Sequence, residues 1–173
     1  MPFLLLFAAC DGGERFVTTD VAAVAECAPV DTLSAGFESS LSPSGCHFLV
    51  SGTNADATVR LQLDVPAFVE LSQGTAVNTA YTLPDSGVRL EVELGCMLDH
   101  GLCDDVEDTG SARVDTTWSA TAGTVAIEGT PGEAGAATAT VTFTGVTFGD
   151  GAGSEVTVDS LTWRDVALSL EGR

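Results

Sequence analysis

Residues 58–65 read TVRLQLDV, so that apolar and polar side chains alternate along the whole stretch. The same alternation recurs in residues 88–94, VRLEVEL, and in residues 137–143, ATATVTF. Because successive side chains of a β-strand point to opposite faces, this period of two predicts strands with one buried and one solvated face. Residues 131–135 and 149–153 are rich in glycine and predict turns. We expect an all-β fold, an antiparallel β-sandwich of roughly seven to nine short strands with little helix.

The chain is strongly acidic, yet it has enough apolar residues to form a folded core. The chain has 173 residues, of which 45% are hydrophobic, and this suffices for one domain with a buried core. Its formal charge is −19, from 25 acidic residues against six arginines. A surface with this excess of carboxylates repels phosphate groups, which disfavours nucleic acid and anionic lipid headgroups as partners. We expect residues 16–173 to form a single β domain.

The first ten residues read MPFLLLFAAC, an apolar run followed by two alanines and Cys10. This segment resembles the lipobox of bacterial lipoprotein signal sequences. The resemblance implies cleavage before Cys10 and acylation of its sulfur, so that residues 1–9 are a signal peptide and residues 10–15 a short tether. The protein would then be exported and held by lipid at the cell membrane or outer membrane. An ordinary secretory signal, or a buried strand ending at Cys10, also fits these residues.

Four further cysteines, Cys27, Cys46, Cys96 and Cys103, follow the lipobox. An even number of cysteines in an exported chain favours disulfides over metal thiolates. Three pairings are possible. We favour Cys27 with Cys46 and Cys96 with Cys103, because closure between near neighbours suits a chain rich in hairpins. The β domain is therefore expected to be stapled by disulfides.

The densest group of carboxylates surrounds the second of these expected rings. Calcium prefers carboxylate and carbonyl oxygens, and an acidic loop fixed by a disulfide could supply several of them. The spacing does not match an EF-hand loop, and a solvated acidic loop between two strands explains the same residues. Calcium is the one cofactor that the sequence suggests. The candidate ligands are Asp99, Asp104, Asp105, Glu107 and Asp108.

Trp118 and Trp163 are candidate platforms for stacking on sugar rings, although a tryptophan in a β-sandwich is usually a core residue. Around Trp163 the apolar residues change their parity along the strand. In an unbroken strand, Val156, Val158 and Leu168 would lie on one face, because an even number of positions separates them. Trp163 would lie on the opposite face. We therefore expect a turn near Ser160 and a bulge near Arg164.

One alternating stretch is notable for threonine. Thr138, Thr140, Thr142 and Thr144 fall on one face of the strand predicted from residue 137 onward. Ice-binding proteins use flat threonine arrays, but such an array needs several matching strands, and the sequence presents a single row. We interpret the row as a solvated strand face built from residues that favour β-structure.

Catalytic motifs are scarce. His47 and His100 are the only histidines, and the chain contains neither a Gly-x-Ser-x-Gly sequence nor a phosphate-binding loop. We predict a lipid-anchored, exported, non-catalytic binding or structural module that is stabilised by calcium if the acidic loop binds it. Besides the bilayer, its partner would be a protein or a glycan. The alternatives are a carbohydrate-binding module that uses exposed tryptophans, and a small extracytoplasmic hydrolase.

Overall fold

The computed structural model describes residues 28–46, 49–85, 87–99, 112–133 and 136–169. These residues contain eight strands, one α-helix and one 3₁₀ turn. The helix, α1, spans Pro66–Ser72, and the 3₁₀ turn spans Phe37–Ser40. The strands are β1 (Ser42–Cys46), β2 (Leu49–Thr53), β3 (Val59–Asp64), β4 (Val77–Leu83), β5 (Arg89–Cys96), β6 (Arg113–Pro131), β7 (Ala136–Gly149) and β8 (Glu155–Ser169).

The strands form one sheet that closes on itself. Seven of them follow one another around a ring in the order β6, β5, β3, β2, β1, β8 and β7, and β7 pairs back with β6. Every pair in the ring is antiparallel except β1 with β8, which is parallel. The remaining strand, β4, lies beside the C-terminal half of β6, on the edge that β5 occupies further towards its N-terminus.

The all-β prediction is confirmed, but the architecture is a closed barrel and not a sandwich. The β1–β8 and β6–β7 pairs join what would be the open edges of two sheets, and this closes the ring. The expectation of short strands is also wrong for β6, β7 and β8, which have 19, 14 and 15 residues.

The three long strands bend together at one level, which we call the corner. In each of them the alternation of buried and exposed residues shifts by one position there, at residues 121–124 of β6, 144–145 of β7 and 159–160 of β8. Gly123 and Gly145 have φ angles of 114° and 56°, which glycine adopts without steric cost. The predicted turn near Ser160 is therefore wrong, because the change of parity arises from a bend inside an unbroken strand.

The bulge predicted near Arg164 is confirmed. Ala139 of β7 pairs with Val166, and Val141 pairs with Trp163, so β8 has one extra residue between these pairs. Asp165 lies in this bulge with a φ angle of 52°. The extra residue restores the parity that the corner had changed, which brings Val166 and Leu168 back to the barrel interior.

The barrel interior is filled by aliphatic and aromatic side chains. Phe143 and Trp163 meet edge to face with ring centroids 5.1 Å apart. Helix α1 begins at a proline, whose fixed φ suits the first helical turn. It packs Phe68 and Leu71 into the core, and both side chains are fully buried. Gly129 makes room for this helix, because a Cβ at that position would lie 2.5 Å from the Leu71 side chain.

Strand β3 is buried on both faces, contrary to the expectation that its polar face is solvated. Leu61 and Leu63 face the core, while Arg60 and Gln62 point outwards and are only 6% and 8% exposed. The Nε of Arg60 donates a hydrogen bond of 2.7 Å to Glu93 on β5, and its Nη1 donates one of 2.8 Å to the Leu98 carbonyl. After β5 the chain returns to the start of β3, where the Leu98 N–H donates a hydrogen bond to the Ala57 carbonyl. This segment helps to enclose Arg60 and Glu93.

Candidate binding surface

The side of the barrel built from β4, β6, β7 and β8 below the corner presents one continuous outer surface, which we call the threonine face. Its residues are outward-pointing members of these strands outside the β8 bulge, and none of them is buried. Eight of the fourteen are threonines. The face consists of Asn78, Ala80, Thr82, Thr124, Ala126, Glu128, Thr130, Thr138, Thr140, Thr142, Thr144, Ser160, Thr162 and Ala167.

The strand register aligns these side chains in rows that cross the sheet. The row next to the corner runs Thr82, Thr124, Thr144, Ser160, with each residue directly paired to the next. A second row runs Ala80, Ala126, Thr142, Thr162. The third runs Asn78, Glu128, Thr140 and ends at the β8 bulge, and the fourth runs Thr130, Thr138, Ala167.

The rows make a two-dimensional array of hydroxyl and methyl groups. Neighbouring strands lie about 4.8 Å apart, and alternate residues along one strand lie about 6.8 Å apart. Threonine is branched at Cβ, which restricts its χ1 angle and keeps both its methyl and its hydroxyl in fixed positions. The hydroxyls of Thr162 and Thr142 lie within hydrogen-bond distance of each other, at 3.5 Å.

Charge is sparse on this face. Glu128 is the only charged residue in the four rows, although the whole chain has 25 acidic residues. Arg164 and Asp165 are exposed in the bulge of β8, opposite Thr140 and between Thr162 and Ala167, so charge also interrupts the third row. Glu128 and Asp165 also line a shallow groove of about 400 Å³ at the end of the face away from the corner. The part of the face nearest the corner is therefore uncharged.

The sequence revealed one column of this array and missed the rest. Thr138, Thr140, Thr142 and Thr144 do lie on the outer face of β7, as predicted. The neighbouring strands add hydroxyl groups beside this row that the sequence did not reveal, from Thr124 and Thr130 on β6, Thr82 on β4, and Ser160 and Thr162 on β8. Which threonines become neighbours depends on strand pairing between distant segments, and composition alone does not specify it.

Both candidate stacking residues are in the barrel interior. Trp118 is 3% exposed and Trp163 is 4% exposed, so neither indole ring offers a face to a sugar. The prediction of exposed tryptophan platforms is therefore wrong. Trp118 points inwards opposite Val92, and Trp163 packs on Phe143, which is the core role usual for tryptophan in a β-protein. Neither Nε1 has a hydrogen-bond partner among the described residues.

Of the five candidate calcium ligands, only Asp99 lies within the described residues, where it is exposed. Asp104, Asp105, Glu107 and Asp108 lie outside them, so calcium binding by this loop stays a prediction. Within the described part of the chain, no group of three or more His, Cys, Asp or Glu side chains is arranged to hold a metal ion.

Asp150 organises the turn between β7 and β8 with its own carboxylate. Its Oδ1 accepts backbone hydrogen bonds from Ala152, Gly153 and Ser154 at 2.7, 2.9 and 3.0 Å. Hydrogen bonds from Ser154, followed by those from Ala152 and Gly153, hold the pKa of Asp150 below its ordinary value of 3.8. The Asp150 carboxylate therefore stabilises the turn of the β7–β8 hairpin.

A lowered carboxyl pKa predicts that the Asp150 turn is stabilised at neutral pH and loses this stabilisation as the pH falls through the lowered pKa. We expect an NMR titration of the Asp150 carboxyl carbon to give a midpoint below 3.8. Ser154→Ala should move that midpoint upwards. A midpoint at or above 3.8 in the unmodified protein would contradict this role.

The described cysteines, Cys46 and Cys96, are both buried, and both are disulfide-bonded. They lie on β1 and β5, which are separated by two strands in the ring. Their predicted partners, Cys27 and Cys103, are outside the described residues, as is the lipidation site, Cys10, so the pairing and the acylation stay predictions. None of the helices in the described ranges has the length and apolar character needed to cross a membrane.

Comparison with known proteins identifies no relative of this chain. No protein-family model, no curated protein and no solved structure matches it. Its function must therefore be inferred from the geometry and chemistry of its own residues.

Proposed function

We propose that this protein is an exported lipoprotein, acylated on Cys10, whose barrel is a non-catalytic binding domain that contacts its partner through the threonine face. The observation that carries the proposal is the absence of charge from the two rows of this exposed face nearest the corner, in a chain with a formal charge of −19. The resemblance of residues 1–10 to a lipobox supports the anchor.

The shape of the face favours an extended partner over a small molecule. Small ligands bind in concave pockets that bury most of their surface, whereas the groove of the threonine face lies at the end away from the uncharged rows. The backbone hydrogen bonds between the strands fix the spacing of these side chains. Little conformational freedom is therefore lost when a partner binds. The partner we propose is an uncharged surface that bears hydroxyl groups.

The anchor is tested by the intact mass of the protein extracted from membranes of a bacterium that expresses the full chain. We expect a polypeptide that begins at Cys10 and carries a diacylglycerol group. A mass equal to the unmodified chain from Met1 to Arg173 would overturn this part of the proposal.

The binding face is tested by depletion of the full chain from solution by suspended solids, with Cys10→Ser to prevent acylation. The solids are microcrystalline cellulose, chitin and ice. Thr142 lies at the centre of the face, and Thr142→Arg should weaken adsorption about tenfold or more, because it places an unpaired charge in the contact. The matched control is Thr117→Arg, because Thr117 is an exposed residue of β6 on the other side of the corner. This variant should adsorb like the parent protein. Equal adsorption by both variants, or adsorption to none of the solids, would overturn this proposal.

A further inference from the structure

We infer that the surface recognised by the threonine face is ice, the periodic lattice of hydrogen-bonded water at the surface of a growing crystal. This inference rests on the proposed function, since it names the chemical class of the partner for the same face. The sequence alone showed a single threonine row, and in the fold hydroxyl-bearing residues of β4, β6 and β8 lie beside it.

The first argument is periodicity. The row Thr82, Thr124, Thr144, Ser160 places a hydroxyl on every one of four adjacent strands. Along β7 the hydroxyls repeat at every second residue, so hydroxyl groups recur about every 4.8 Å across the strands in this row and about every 6.8 Å along β7. A crystal surface offers equally regular hydrogen-bonding groups over an unlimited area.

The second argument is the pairing of a methyl with a hydroxyl at each threonine. The hydroxyl can donate to and accept from lattice water, while the methyl favours an ordered arrangement of the water molecules around it. Because the χ1 angle of a β-branched residue is restricted in a strand, both groups are held in place before contact. Thr142 and Thr162, whose hydroxyls are 3.5 Å apart, present two such units side by side.

The third argument comes from what the face lacks. Glycan-binding sites usually stack sugar rings on aromatic side chains, and the fourteen residues of the face include no aromatic residue. A basic protein would be attracted to carboxylates, and the two rows nearest the corner contain none. Water in its crystalline form needs neither an aromatic ring nor a charge.

The test is the effect of the full-length Cys10→Ser protein on ice growth, measured as thermal hysteresis and as grain size in a frozen sucrose solution held near its melting point. We expect hysteresis and small grains. Thr142→Tyr should require a roughly tenfold higher concentration for the same grain size, because its ring lifts the face off the lattice. Thr117→Tyr should act like the parent protein.

Thr142→Val, which keeps the shape and removes the hydroxyl, should lose less activity than Thr142→Tyr. Unchanged melting temperatures would show that all variants fold. Normal grain growth with the parent protein, or equal activity of the Thr142→Tyr and Thr117→Tyr variants, would overturn the inference. Adsorption to cellulose or chitin that is sensitive to Thr142→Arg, without any effect on ice, would overturn the inference and leave the proposed function standing.

Discussion

Replacing Arg60 with alanine is expected to lower the free energy of unfolding by about 3–5 kcal/mol, because the carboxylate of Glu93 would remain buried without its partner. The side chains of Arg60 and Glu93 are 7% and 10% exposed. Arg60 also donates a hydrogen bond to the Leu98 carbonyl, so the substitution leaves a second acceptor unpaired. Urea denaturation measures the change as a shift of the unfolding midpoint.

Two variants isolate the cause of this loss. Arg60→Met combined with Glu93→Leu removes both charges and should restore much of the stability. Arg89→Ala is the matched control, because Arg89 pairs with Glu91 two residues further along the same strand, β5, and its side chain is 57% exposed. Exposed pairs contribute about 0–1 kcal/mol. If Arg60→Ala and Arg89→Ala cost the same, the Arg60 pair does not stabilise the barrel as we describe.

The second large effect is expected at the corner, where Gly123→Ala should destabilise the protein by about 3 kcal/mol or more. A Cβ at this position would lie 2.6 Å from the Cα of Val146 and 2.7 Å from the carbonyl oxygen of Gly145. These are main-chain atoms of the paired strand and cannot rotate away. The φ angle of 114° adds strain for any residue with a side chain.

Gly151→Ala separates the conformational effect from the steric one. Gly151 has a φ angle of 75°, but no atom lies within 4 Å of the position its Cβ would take. It should cost only about 1–2 kcal/mol, the penalty for a left-handed conformation. Equal losses for the two variants in thermal or urea unfolding would show that the bend of β6 against β7 does not depend on a glycine. Because Thr124 follows Gly123 directly, Gly123→Ala should also disturb the first row of the threonine face.

The strands that alternate clearly were predicted well from the sequence. Residues 58–65 correspond to β3, residues 88–94 to β5, and residues 137–143 to the first half of β7. Their period of two is a local property of the backbone, and it survives folding. Closure into a barrel depends on pairs such as Gly45 with Leu168, which are distant in sequence, and no local pattern distinguishes a barrel from a sandwich.

Two features prevented the prediction of the threonine face from the sequence. The corner changes the parity of the long strands without ending them, so that Ser160 was predicted to be in a turn and Trp163 to be a possible platform. The second feature is register, which places Thr124 beside Thr144 although the sequence separates them by twenty positions. Register is set by the pairing of whole strands and cannot be read from one strand at a time.

Incorporation into a slowly grown ice hemisphere tests the binding role of the threonine face most directly. Ice excludes ordinary solutes as it advances, whereas a protein that binds the crystal surface is overgrown and retained. With full-length Cys10→Ser protein, we expect the concentration in the ice to exceed that of a similarly acidic control protein, and we expect Thr142→Tyr to abolish the excess while Thr117→Tyr preserves it. Exclusion of the parent protein to the same extent as the control protein would contradict the role assigned to this face.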